Sequence, residues 1–347
     1  MRIAVDARAA AEVPAGRGRY VRELLRALAA LPDDHEYILL ARSSWSEPAL
    51  DERFRWRLVG LPDPAWSIAA AAACRRADAV LATNSYLLAA ATRCHAVATV
   101  HDLVAFDPKL RLPRGSAAER LTLPLAIRRR QTLLCVSEAT RSTLVDRFPR
   151  AAPLARVVPH GVESRFFVDR PEQDYVLMTG TLEPRKNIVR AVEAAAGLPD
   201  ALHEQFELVV AGPRGWHADD IDAALAGHGD SVRQLGLVPD AELPDLYAGA
   251  AVFLYPSLRE GFGLPVLEAM AAGTAVVTSG LSSLPEVGGD AVRYVDPYDV
   301  DSIRAGLEEL LGDRERRTQL AAAGRERARS FSWERTARET LALLSER

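Results

Sequence analysis

Short apolar runs alternating with helically spaced segments recur along nearly the whole chain, and that alternation leaves few folds open. In the first half the runs Ile3–Val5, Tyr37–Ala41, Ala79–Ala82, Ala96–Val100 and Thr132–Val136 are bounded by polar or turn residues. Unbroken apolar character, rather than alternation, marks a strand whose sheet is covered on both faces. Between the first two runs, Val21, Leu24, Leu25 and Leu28 recur at helical spacing within Tyr20–Leu31. Strands separated by helices build a parallel sheet with helices on both sides.

The same pattern restarts further on. Strands are predicted at Tyr175–Met178, Glu207–Ala211, Val232–Leu235, Ala251–Leu254 and Ala275–Thr278. Helices are predicted at Ile188–Ala196, Ala241–Ala248, Pro265–Ala272, Val300–Leu311 and, closing the chain, Trp333–Leu344. Residues 164–174 carry a proline, charges and weak periodicity, and read as a linker. The 347 residues suit two domains of ordinary size. The expected organisation is an α/β chain with one Rossmann-like domain over 1–163, a second over 175–330, a cleft between them, and a final segment 331–347. Ligands of open parallel sheets bind beyond the carboxyl ends of the strands, so functional residues belong just after strands.

Composition narrows the class. No apolar run approaches the roughly 18 residues of a membrane-spanning helix. Met1–Asp6 enters a strand at once, without the layout of a signal peptide, so a cytoplasmic location is expected. Cys74, Cys94 and Cys135 form no CxxC pair and read as three small buried hydrophobes. The net charge of −4 is unevenly distributed: 24 basic against 17 acidic residues up to 163, then 19 against 30. A cationic first half suits an anionic acceptor or the inner leaflet of a membrane, or is simply a solvated surface. Overall acidity argues against nucleic acid as a partner. Of the 43 basic residues only Lys109 and Lys186 are lysine. A lysine kept against that bias points to a need for a compact ammonium, which Lys186 meets better than Lys109 in its polar loop.

Two stretches carry chemistry. Pro256–Gly273 follows the strand Ala251–Leu254 and contains Glu260-Gly261-Phe262-Gly263-Leu264-Pro265, then Glu268. Pro265 suits the first position of a helix, and Gly261 and Gly263 allow close backbone approach. Amides of Gly263 and Leu264 with the helix dipole behind them suit a diphosphate. Glu268, one turn in, can accept both hydrogens of a ribose diol, and Glu260 can bond sugar hydroxyls. The second stretch, Thr179–Asn187, also follows a strand. Gly180 allows close approach, Asn187 is a good helix N-cap, and Arg185 and Lys186 can neutralise a diphosphate without a metal. In the first half His101 ends a strand, where it can bond a sugar or move a proton, or serve structure alone. Gly16-Arg17-Gly18 lies in the first strand-to-helix loop and can approach phosphate or sugar. With Val21 at the third glycine place it fails as a dinucleotide fingerprint.

At these residues the chain resembles the retaining GT-B glycosyltransferases of family 4. Glu260-x7-Glu268 within Glu-Gly-Phe-Gly-Leu-Pro-x-x-Glu-Ala matches the family hallmark, and Gly180–Asn187 matches its donor-phosphate loop. His101-Asp102, Val136-Ser137-Glu138, Pro159-His160-Gly161-Val162 and Phe331-Ser332-Trp333 resemble further landmarks. The resemblance implies two Rossmann-like domains, an N-terminal acceptor domain and a C-terminal donor domain, with the last helix returning to the first. It implies that Arg185 and Lys186 hold the diphosphate, and that Glu268 holds the ribose. It places Glu260 and the amides of Gly261, Phe262, Gly263 and Leu264 at the donor sugar, Val238 with its neighbours at the base, and His101 opposite the sugar. Transfer would retain configuration with no metal or cofactor.

Arg17 departs from the small or apolar residue common in relatives. The run Gly280–Ala291 looks most like mannosyl- and rhamnosyltransferases, which implies a GDP-mannose-type donor and a saccharide or lipid-linked acceptor. The basic set Arg111, Arg114, Arg120, Arg128, Arg129 and Arg130 is a candidate for a lipid phosphate or peripheral contact with an anionic membrane, against a merely solvated helix. An epimerase or hydrolase on the same fold, or a non-catalytic sugar-nucleotide binder, remain as alternatives.

Overall fold

The computed structural model describes residues 1–13, 16–107, 116–229 and 231–346. It divides into two compact units, Met1–Gly161 with Ser332–Arg347, and Val162–Phe331. The segment read as a linker lies within the second unit, where Phe166 is buried and meets the Tyr247 ring edge-on at 5.8 Å.

The first unit holds a parallel sheet of β1 (Arg2–Asp6), β2 (Glu36–Ala41), β3 (Phe54–Leu58), β4 (Ala79–Ala82), β5 (His95–Val100), β6 (Thr132–Cys135) and β7 (Ala155–Val157). Their order is β3-β2-β1-β4-β5-β6-β7, with Ile3 opposite Tyr37 on one side and Ala79 on the other. The edge strands β3 and β7 lack the apolar run that marks the others. Phe-Arg-Trp-Arg-Leu puts arginines on an edge, and Ala-Arg-Val is only three residues long. Cys74 and Cys135 are buried, and burial pushes both thiols up to about 12, which makes them packing residues.

The second unit repeats the plan with β8 (Gln173–Thr179), β9 (Glu207–Ala211), β10 (Val232–Gly236), β11 (Ala250–Tyr255), β12 (Ala275–Ser279) and β13 (Arg293–Val295), in the order β10-β9-β8-β11-β12-β13. One face of β8, Val176 and Met178, packs with Ile188 and Val192 of the helix Ile188–Ala196 and with Ile303 and Leu307 of the helix Val300–Gly312. Each such side chain contributes about 1.5–3 kcal/mol of burial. Both sheets are two Rossmann-like layers, and in each the strand order reverses once, between β1 and β4 and between β8 and β11.

The closing helix Trp333–Ser345 belongs to the first unit. Thr336 Oγ1 donates to the Pro159 carbonyl at 2.7 Å, and His95 Nε2 donates to the Leu343 carbonyl at 2.9 Å. The Trp333 ring stacks on His160 at 5.5 Å, His160 meets Tyr20 at 4.7 Å, and Tyr20 meets His101 at 5.0 Å. The helix comes so close to Gly161 that a Cβ there would lie 2.1 Å from the Trp333 nitrogen.

That contact is backbone against backbone and cannot be relieved by a rotamer change. Gly161→Ala is expected to destabilise the first unit by about 1–3 kcal/mol, as an overpacking change does, measured by urea unfolding; unchanged stability would show that the helix does not dock as described. Burial, then the nearby Arg17 charge, lowers the His101 pKa to about 4, and burial lowers that of His160 too. An unfolded histidine titrates near 6.5, so the unfolded chain takes up protons that the native one refuses. The stability these neutral rings give is full above about pH 6.5 and is lost as pH falls toward 4. Thermal melts should drop between pH 7 and pH 5, with a shallower drop in His101→Gln; identical slopes would refute the neutral buried state.

Candidate functional site

The reversal between β8 and β11 sets the loops that leave those strands side by side, and both chemical stretches lie on them. The loops are also bonded together. The Leu258 N–H donates to the Arg185 carbonyl at 2.8 Å, and the Asn187 side-chain amide donates to the carbonyls of Pro256 (3.1 Å) and Pro297 (2.6 Å). Asn187 does occupy the N-cap position of its helix, at φ 61°, but makes no side-chain capping bond. Its amide ties the two loops instead, while its Oδ1 accepts from Arg190 at 3.0 Å. Similarly, Leu264 rather than Pro265 opens the helix Leu264–Ala271, which leaves Pro265 second.

The tie brings Arg185, Lys186 and Glu260 together. Arg185 Nη1 donates to Glu260 Oε2 at 2.8 Å, and Lys186 Nζ donates to Glu260 Oε1 at 2.7 Å. Lys186 also donates to the Tyr255 hydroxyl and lies 4.7 Å from the centre of that ring. Lys186 and Glu260 are buried, while the Arg185 side chain is 21% exposed. Burial works to raise the Glu260 pKa, but the adjacent Arg185 and Lys186 charges outweigh it and hold the carboxyl at about 2. Burial first, and then Arg185, lowers the Lys186 pKa below the ordinary lysine value, against the opposing pull of Glu260. Glu260 is thus ionised at any ordinary pH.

Glu268 is buried in the helix Leu264–Ala271 and accepts from the Tyr247 hydroxyl at 3.0 Å; that hydroxyl also lies 2.7 Å from Thr179 Oγ1 at the end of β8. Gly263 caps this helix at φ 109°, and a Cβ on it would meet Leu284 at 2.9 Å. Conformation therefore requires glycine, and an added Cβ would also displace the Leu284 side chain. The turn Glu260–Phe262 is clasped by the loop after β12. Ser282 Oγ accepts from the Glu260 N–H at 2.9 Å, and Ser283 Oγ donates to the carbonyls of Glu260 (3.1 Å) and Phe262 (2.8 Å). Phe262 is buried, Gly261 and Leu264 are half-buried beside it, and Gly180 follows β8 directly. Val238, half-buried, follows β10.

In the first unit, His101 directly follows β5 and its Nε2 lies 2.9 Å from the Thr83 carbonyl, so Nε2 carries the proton and Nδ1 is the acceptor nitrogen. Arg17 Nη1 lies 3.2 Å from Glu119 Oε1 and 3.4 Å from Asn84 Oδ1. Gly16 is open around its Cα at φ 53°, whereas a Cβ on Gly18 would strike the Val13 carbonyl oxygen at 1.8 Å, so backbone packing accounts for that glycine. Arg120, Arg128, Arg129 and Arg130 are exposed at or just beyond the helix Ser116–Arg128. Lys109, Arg111 and Arg114 lie outside the described residues.

Tyr247 and Tyr255 support this site and escape a reading by motif, and Ser282 and Ser283, within the run Gly280–Ala291, gain a site contact that the run alone does not assign. The tyrosines look like core residues, and only the position of Tyr255 as the last residue before Pro256 marks it out.

The profile of Glycosyltransferase Family 4 matches residues 14–166, and that of Glycosyl transferases group 1 matches residues 163–327. The chain is 37% identical over 267 residues to the O-antigen chain mannosyltransferase B of Escherichia coli, covering 71% of this chain and 69% of that protein. It is 34% identical over 218 residues to the MMP alpha-(1->4)-mannosyltransferase of Mycolicibacterium hassiacum, covering 61% of this chain and 53% of that protein. Its fold matches that of HepE from Anabaena, solved in complex with UDP-glucose, with a TM-score of 0.82 at 16% identity over 99% of each chain. This chain belongs to the family 4, group 1 glycosyltransferases and is a glycosyltransferase of GT-B architecture.

Proposed function

We propose that this glycosyltransferase moves a hexose, mannose by preference, from a nucleotide diphosphate sugar of the GDP-mannose type to a saccharide or lipid-linked acceptor, with retention of configuration. The observation that carries the reading is the pairing of the buried Lys186 and the half-buried Arg185 with the one carboxylate of Glu260. Two fixed cations at the carboxyl ends of β8 and β11 provide a diphosphate with charge and charge-assisted hydrogen bonds together. The amides of Gly263 and Leu264, where the helix Leu264–Ala271 begins, add to them with the helix dipole behind them.

In this reading the diphosphate takes over the cations that Glu260 holds in the free protein, and Glu260 with the turn Gly261–Leu264 turns to the donor sugar. Glu268, aimed by Tyr247, accepts from the ribose diol, and the backbone about Val238 holds the base. The bond from the anomeric carbon to the phosphate oxygen breaks as the acceptor oxygen bonds the same face, and the acceptor proton passes to the departing phosphate. Arg185 and Lys186 meet the charge that develops there, so the reaction is assigned no metal or other cofactor. The neutral His101 imidazole acts as a hydrogen-bonding group toward sugar, not as a cation. The mannosyltransferase relatives support the choice of sugar.

A contact with anionic membrane is proposed for the helix Ser116–Arg128. Leu121 (72% exposed) and Leu125 (42% exposed) share one face at i, i+4, near the exposed Arg120, Arg128 and Arg129.

Lys186→Ala should lower kcat/KM for transfer from GDP-mannose by about 10²–10³, the effect of removing one fixed donor from a developing oxyanion, while the melting curve still shows a folded chain. Lys186→Arg should fail to restore it. NMR of the wild-type product should show the donor's anomeric configuration; an inverted product, or hydrolysis without transfer, would discard the mechanism. The chain should float with vesicles containing anionic lipid, and Leu121→Asp with Leu125→Asp should abolish this; wild type left at the bottom of the gradient disposes of the membrane contact.

A further inference from the structure

The loop after β9 continues the pairing of β8 with β9 beyond the ends of both strands. Gly180 N–H donates to the Ala211 carbonyl at 2.9 Å, Leu182 N–H to the Pro213 carbonyl at 2.9 Å, and Gly215 N–H to the Leu182 carbonyl at 3.0 Å. A Cβ on Gly215 would lie 2.7 Å from the Leu182 oxygen, so the approach needs a residue without a side chain. This extension delivers Trp216 to Glu183. The indole Nε1–H donates to Glu183 Oε2 at 2.6 Å, and the other carboxylate oxygen lies 2.5 Å from Arg185 Nη2. Glu183 is buried, with 7% of its surface exposed. The Arg185 guanidinium therefore spans two carboxylates, Glu183 through Nη2 and Glu260 through Nη1.

We propose that Trp216 is a positioning residue for the donor: through Glu183 it holds the Arg185 guanidinium toward the diphosphate. The inference rests on the donor-site reading above. The two carboxylates have different fates in that reading. Glu260 turns to the donor sugar, so its hold on Arg185 weakens as the donor enters. Glu183 stays, and something must keep its carboxylate aimed once it is the remaining anchor. An indole N–H suits the task because it donates one hydrogen bond, accepts none and does not titrate. It orients the carboxylate without adding a charge that would compete for phosphate. Arginine is the residue for which this matters, since its rigid fork is useful only when its plane is set.

Trp216→Phe keeps an aromatic ring and deletes the N–H. Calorimetric titration of the full chain with GDP, and separately with UDP, should show dissociation constants raised about tenfold by this variant, the scale of losing a hydrogen bond to a charged group. The factor should be equal for both nucleotides, because the effect is on phosphate. Arg185→Lys should weaken both by more, and the double variant should bind no worse than Arg185→Lys alone. A packing defect would instead add to the Arg185→Lys loss, and additivity overturns the relay. So does wild-type affinity in Trp216→Phe when Arg185→Lys is weakened. Unchanged affinity in Arg185→Lys overturns the donor-site reading itself, and the relay with it. Should Trp216→Phe prove unfolded by its melting curve, Glu183→Gln serves the same cycle: its amide offers one acceptor oxygen to two donors, so the same loss and the same non-additivity are expected.

Discussion

A buried carboxylate held between a guanidinium and an ammonium is the interaction on which the second unit turns. Removing three charged groups from water costs more than filling the same space with apolar side chains, so the Arg185–Glu260–Lys186 cluster is poor material for stability. What it does is keep two cations in fixed positions while no ligand is present. Without Glu260, Arg185 and Lys186 would repel each other in a poorly solvated site, and the lysine, whose pKa burial already lowers, would lose its proton more readily still. Glu260 therefore preserves the charge of both cations.

Parallel topology makes this arrangement available. Neither loop alone has all three groups: Arg185 and Lys186 leave β8, and Glu260 leaves β11. Those strands are far apart in sequence but adjacent in the sheet, because the chain reverses its direction of strand addition between them. The same reversal between β1 and β4 brings Arg17 and Asn84 within reach of each other and sets His101, one strand further along, against the Thr83 carbonyl. Repetition of one plan in two units explains why residues with chemistry follow strands in both.

Much of this was legible in the residues, and the exceptions share a cause. Strands with unbroken apolar runs stand out, and Glu207–Ala211 and Ala79–Ala82 match the observed bounds. The edge strands β3, β7 and β13 do not, because an edge needs no apolar run on both faces and Arg-Tyr-Val is too short to show a pattern. The helix Arg314–Ala328 is equally hidden, since seven of its fifteen residues are charged and its apolar face is little more than Leu320 and small residues. At the site, Glu260, Glu268, Arg185 and Lys186 were legible from local spacing. Trp216, Tyr247 and Tyr255 were not, since each acts on a partner more than twenty residues away and contact, not spacing, assigns it. Asn187 shows the converse: a residue type correct for a cap, diverted by a tertiary partner that local spacing cannot show.

The solitary lysine of the cluster follows from the space around it. A chain that uses arginine for 41 of its 43 basic positions nonetheless puts lysine where the side chain must end between the Tyr255 phenol and the Glu260 carboxylate. An ammonium fits there because its donors point tetrahedrally, toward Tyr255 and Glu260 at once; a planar fork would need its partners in one plane. Gly180 owes its place to a φ of 126° rather than to that space, since a Cβ at its position would stand 3.4 Å from the Lys186 Cε, an ordinary contact. The loop after β8 thus takes a glycine at its start for the path of the backbone and a lysine near its end for the directions of its donors.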